Sequence, residues 1–65
     1  MKTYIDFLHG ETAAEADRID ILFYPNSGEY RGNIYKAGKI IGDYTCSSSI
    51  ELENLFPQLV FNWGR

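Results

Sequence analysis

The chain has 65 residues, 45% hydrophobic and 15% aromatic, with a formal net charge of −3 at pH 7 and a pI near 4.8. That aromatic content argues against a disordered acidic tail, and the acidity argues against a protein whose main task is to bind nucleic acid. A chain this short forms one small domain, expected over 1–65, and buries only about 60% of the surface its unfolded form exposes, so its core is marginal.

Cys46 is the only cysteine, which rules out an intramolecular disulfide and fits a reducing compartment. No apolar leader and no membrane-length apolar run is visible in the sequence. The expected setting is therefore cytoplasmic, away from membranes, and no cofactor motif is present.

Residues 2–8 read as a strand, because Ile5 and Phe7 alternate with Tyr4 and Asp6. Thr12 and Glu15 have the spacing of a capping box, followed by too few residues for more than a turn of helix. Residues 18–24 form the clearest strand, with Ile19, Ile21 and Phe23 on one face and Asp20, Leu22 and Tyr24 on the other. Pro25-Asn26-Ser27-Gly28 has the composition of a four-residue hairpin loop. Closing it pairs Tyr24 with Glu29, Phe23 with Tyr30, Ile21 with Gly32 and Ile19 with Ile34.

Residues 29–35 and 39–46 read as a second hairpin. A three-residue loop, Lys36-Ala37-Gly38, needs a left-handed backbone only at Gly38. A two-residue type I′ loop would place Ala37 at positive φ and set Lys36 against Lys39. The three-residue loop is therefore expected, pairing Tyr35 with Lys39, Ile34 with Ile40, Gly32 with Gly42, Arg31 with Asp43 and Tyr30 with Tyr44. Both turns then place apolar side chains on one face of a meander, with the two glycines leaving a trough for a helix.

After Cys46 the period changes. Ser48 and Glu51 match a second capping box, and Leu52, Leu55, Phe56 and Leu59 form one apolar stripe. Pro57 ends the helix near Leu55, and residues 60–63 are expected to form a short last strand. The fold class is thus α+β: an antiparallel β-meander of three central strands, short N- and C-terminal strands, and one C-terminal helix packed on one face.

Motifs that carry chemistry are sparse. Cys46 and His9 are the only conceivable nucleophile and base, and nothing in the sequence brings them together. Asp6, His9 and Glu11 lack metal-site spacing, and Ser47-Ser48-Ser49 is explained by capping as well as by anion binding. An enzymatic function is not expected.

The second sheet face is the candidate binding surface. It is expected to carry Leu22, Tyr24, Arg31, Tyr35, Lys39 and Ile41, with Asn33 and Asp43 beside them, unless the N-terminal segment or Trp63 covers it. A solvated face is usually mostly polar, and aromatic residues with Arg are enriched at binding hot spots. The first expectation is a non-catalytic interaction module that contacts a protein partner or a second copy of itself. The alternative is a single-stranded nucleic-acid binder using Tyr24, Tyr35, Arg31, Lys36 and Lys39, with tyrosines stacking bases.

Overall fold

A computed structural model describes residues 3–61 of the chain. The strands are β1 (Tyr4–Phe7), β2 (Arg18–Ile19), β3 (Leu22–Tyr24), β4 (Glu29–Lys36) and β5 (Lys39–Cys46), followed by one helix, α1 (Ser49–Leu55). A single 3₁₀ turn, Ala13–Glu15, lies between β1 and β2. The strands form one antiparallel sheet in the order β1-β5-β4-β2, with β3 also on β4, so the fold is a small α+β domain. The first hairpin has the register its turn chemistry predicts: Tyr24 faces Glu29, Phe23 faces Tyr30, and Ile19 faces Ile34.

The second hairpin corrects the expectation. Its loop is the two-residue Ala37-Gly38, with φ of 53° and 79°, and Lys36 stands opposite Lys39. Two left-handed residues in succession make a type I′ turn, whose twist matches the strands it joins. Contacts from outside the hairpin favour it. The Asp17 carboxylate accepts the Ala37 N–H at 2.8 Å, and Glu15 pairs with Lys36 at 3.2 Å, offsetting the like charges at the tip.

Beyond the turn, Tyr35 faces Ile40 but Ile34 faces Gly42, so Ile41 is the extra residue of a β-bulge. Past the bulge, Gly32 faces Tyr44, Arg31 faces Thr45 and Tyr30 faces Cys46, replacing the expected partners Gly42, Asp43 and Tyr44. This offset of two residues preserves side-chain parity, so Tyr30, Gly32, Ile34, Gly42 and Tyr44 still share one face. The bulge does exchange the isoleucines: Ile41 is 6% exposed in the core, and Ile40 is 47% exposed on the other side.

The glycines act differently from a helix-docking trough. A Cβ on Gly32 would collide with the Asp20 backbone carbonyl, and one on Gly42 with the backbone of Asp6 and the ring of Phe7. Each glycine thus admits a neighbouring strand at close range. At Gly32 the Asp20 carbonyl leans over the sheet and accepts the Tyr44 hydroxyl. This bend splits the expected strand 18–24 into β2 and β3, while the Asp20 N–H still donates to the Asn33 carbonyl at 3.0 Å.

The core lies on this face. Ile34, Ile41, Tyr44 and Cys46 meet Leu52 and Phe56 of the helical segment, with Ala16, Ile5, Phe7, Ile19 and Leu55 around them. The Tyr44 and Phe56 rings meet edge-on at 5.9 Å. The Ser48 hydroxyl caps α1 by accepting the Glu51 N–H at 3.1 Å, while the Glu51 carboxylate accepts the Ser47 N–H at 3.2 Å. Pro57 follows the last turn, and the Gln58 amide donates to the carbonyls of Ala13 and Ala16. Val60 and Phe61 lie outside any strand; the remainder of the expected last strand, Asn62 and Trp63, falls outside the described residues, as does Lys2 at the start of the first.

Candidate binding face

All packing elements among the described residues lie on the core side of the sheet, so none of the described residues covers its other, open face. Register and alternation arrange that face in three rows. One runs Leu22, Arg31, Thr45 and Tyr4 across β3, β4, β5 and β1. The middle row is Asp20, Asn33, Asp43 and Asp6, in which Asp43 and Asp6 stand directly opposite each other. The third is Arg18, Tyr35 and Ile40. Tyr24 and Glu29 lie beyond the first row, towards the turn at 25–28.

Leu22, Tyr24, Arg31 and Tyr35 therefore share the open face, as the sequence predicts. Lys39 and Ile41 do not. Ile41 is turned into the core by the bulge, and Lys39 sits at the hairpin tip opposite Lys36. Tyr4, Asp6, Thr45 and Ile40 join the face unforeseen. The pairing of β1 with β5 supplies the first two, and strand pairing between distant segments leaves no local mark in sequence. Tyr4 and Leu22, 56% and 54% exposed, flank a shallow depression of about 330 Å³ floored in part by Arg31, Asn33, Asp43 and Thr45.

The cations of this face are already engaged. Arg31 reaches Glu29 at 2.6 Å instead of the expected Asp43, and its guanidinium lies 4.8 Å from the centre of the Tyr24 ring. Its hydrogen bond holds the Glu29 carboxyl below the ordinary carboxylate range, and Glu29 raises Arg31 in turn. Arg18 lies 4.0 Å from the centre of the Tyr35 ring, and the Tyr35 hydroxyl donates to the Asp20 carboxylate at 3.0 Å. Tyr24 and Tyr35 thus each have one ring face occupied by an arginine. Asp6, Asp20, Asp43 and Glu29 outnumber Arg18 and Arg31, leaving the face net negative.

The remaining candidates are placed as follows. Cys46 is fully buried, and burial pushes its thiol up, away from the reactive thiolate. It lies at the opposite end of β5 from His9, which follows the Leu8–Ile41 hydrogen bond and contacts Glu11 at 3.5 Å. Among the described residues no group of three His, Cys, Asp or Glu side chains is arranged to hold a metal ion. The Ser47 N–H that an anion would use is already taken by Glu51. No described helix is long and apolar enough to cross a membrane. No protein-family model, curated protein or solved structure matches the chain.

Proposed function

We propose that this chain is a non-catalytic binding module whose open sheet face receives a protein partner carrying basic side chains within an apolar surface. The observation that carries this reading is the acidic row Asp20–Asn33–Asp43–Asp6 bordered by exposed Leu22, Tyr4, Tyr24 and Ile40. Like charges directly opposite one another in a sheet are destabilising. A cation seated between Asp6 and Asp43 relieves that repulsion, while the flanking groups supply apolar area. Stacking two copies face to face would instead oppose their acidic rows.

Single-stranded nucleic acid fits this face less well than a basic protein surface does. Base stacking needs free aromatic faces and phosphate binding needs available cations; here Arg18 and Arg31 each occupy one face of Tyr35 and Tyr24, Glu29 holds Arg31, and exposed Tyr4 stands beside Asp6 and Asp43 in a net acidic face.

The test is a titration of isotope-labelled protein, read by amide chemical shifts. One probe is a short peptide alternating Lys and Leu; the other is a mixed-sequence single-stranded oligonucleotide, added at low salt. Shifts centred on Tyr4, Asp6, Asn33 and Asp43 with the peptide, lost in the Asp6→Lys/Asp43→Lys double variant, are expected. Peptide shifts centred elsewhere, or salt-sensitive oligonucleotide binding on this face, would overturn the reading.

A further inference from the structure

The sheet has two edges, and they differ. At β1 (Tyr4-Ile5-Asp6-Phe7) a carboxylate sits in the middle of the strand, a common guard against unwanted strand pairing. At β3 the segment Ile21-Leu22-Phe23-Tyr24 holds no charge, and its side chains are 39%, 54%, 54% and 42% exposed. Leu22 and Tyr24 lie on the open face, Phe23 on the core face against Tyr30 at 4.9 Å between ring centres. This edge is therefore apolar on both sides, and no described strand pairs with its outer side.

The backbone direction can be read from the contacts that close the first hairpin. The Asp20 N–H donates inward to Asn33, and the Tyr24 carbonyl accepts inward from Gly28 at 2.8 Å. By alternation within β3, the N–H and C=O groups of Phe23 point outward, and Ile21 precedes it on the same edge. Strand groups that no described residue uses, flanked by apolar side chains, call for another extended strand.

We infer that β3 is a self-association edge, pairing antiparallel with β3 of a second copy about a two-fold axis at Leu22. In this register Ile21 of each copy exchanges both backbone hydrogen bonds with Phe23 of the other. Leu22 meets Leu22 on one side of the joined sheet, and Ile21 meets Phe23 on the other. Asp20 falls opposite Tyr24, so no two carboxylates meet. The other two-fold register, centred on Phe23, would set Ile21 against Pro25, which has no N–H to donate. A two-fold contact must be self-complementary, and the uncharged segment satisfies this where the Asp6-bearing edge does not. A small core that gains area by pairing has reason to keep such an edge.

This inference is independent of the open-face reading, and the experiment separates them. Sedimentation equilibrium of the full chain from micromolar to millimolar concentration should show a reversible monomer–dimer equilibrium. Phe23→Pro removes an outward N–H without touching the ladder to β4, and should leave only monomer. Asp6→Lys/Asp43→Lys, expected to abolish peptide binding to the open face, should leave dimerisation unchanged. As a check on register that does not depend on how Phe23→Pro folds, the Leu22→Cys variant under mild oxidant should cross-link several-fold faster than Phe23→Cys, since non-hydrogen-bonded antiparallel positions bring Cα atoms to about 4.5 Å. A strict monomer at millimolar concentration, a dimer that survives in folded Phe23→Pro, or equal cross-linking at the two positions would overturn the inference.

Discussion

The β-bulge gives a sharp test of the structure through two adjacent isoleucines. Ile41 is 6% exposed and touches the core, whereas Ile40 is 47% exposed on the open face. Removing one methyl from a buried isoleucine costs about 0.5–1.5 kcal/mol, and truncation to alanine about 2–5 kcal/mol. A substitution at a half-exposed position that opens no cavity stays within about 0.5 kcal/mol. At about 0.05–0.15 kcal/mol per residue, a domain of 65 residues has a total stability of about 3–10 kcal/mol. Ile41→Ala therefore threatens folding outright, and Ile41→Val is the more informative variant.

Urea denaturation followed by far-ultraviolet circular dichroism provides the assay. With a slope of about 1 kcal/mol per molar urea, at the low end for small domains, Ile41→Val should lower the midpoint by about 0.5–1.5 M and Ile40→Val by less than about 0.5 M. Ile40→Lys should fold, while Ile41→Lys, which buries a charge without a partner, should not. Equal effects at the two positions, or the reverse order, would refute the bulge. The three-residue loop would produce that reverse order, because it places Ile40 beside Ile34 in the core.

Three further outcomes are expected. Ala37→Asn should raise the melting temperature by about 4–8 °C, the equivalent of about 1 kcal/mol for a small domain, because Asn tolerates the left-handed conformation that Ala37 holds at φ 53°; unchanged or lower stability would count against the type I′ turn. Tyr44→Phe should cost about 1 kcal/mol in chemical denaturation by removing the hydroxyl that the Asp20 carbonyl accepts, and Gly32→Ala should cost more, since its Cβ meets that carbonyl. The Glu51 carboxyl is held below its usual 4.5 by the Thr3 hydroxyl and then the Ser47 amide. Its contribution to stability is therefore present above that pH and lost as pH falls through the lower folded value. Glu51→Gln should be less stable than the parent at neutral pH, and the two pH–stability curves should converge in acid.

Most of the fold is legible in the sequence because its signals are local. Alternation marks β1, β4 and β5, Pro25 and Gly28 fix the first hairpin, and Ser48 with Pro57 bounds the helix. The second turn is not decided locally. Judged on the hairpin alone, Ala37 at positive φ and Lys36 facing Lys39 are both unfavourable, and the contacts that compensate come from Asp17 and Glu15, some twenty residues earlier. The adjacent Ile40 and Ile41 add no alternation that would reveal the bulge. The candidate face is half legible for the same reason: β3 and β4 supply Leu22, Tyr24, Arg31 and Tyr35 through neighbouring turns, whereas Tyr4 and Asp6 arrive through a strand pairing that no turn announces.

The bend at Asp20 divides one strand into halves of unequal grip. β2 is held by the Asp17 N–H on the Tyr35 carbonyl, by Arg18 over Tyr35 and by Ile19 against the core. β3 has its ladder to β4 and no buried residue. The outer half can therefore peel away while the core stays covered, a partial opening that costs less than global unfolding. Amide hydrogen exchange at Leu22 and Tyr24 should then proceed through that opening and run ahead of exchange at Ile34 and Tyr44. Since pairing with a second copy would clamp the same half, the exchange should slow as protein concentration rises, making β3 a concentration-dependent latch.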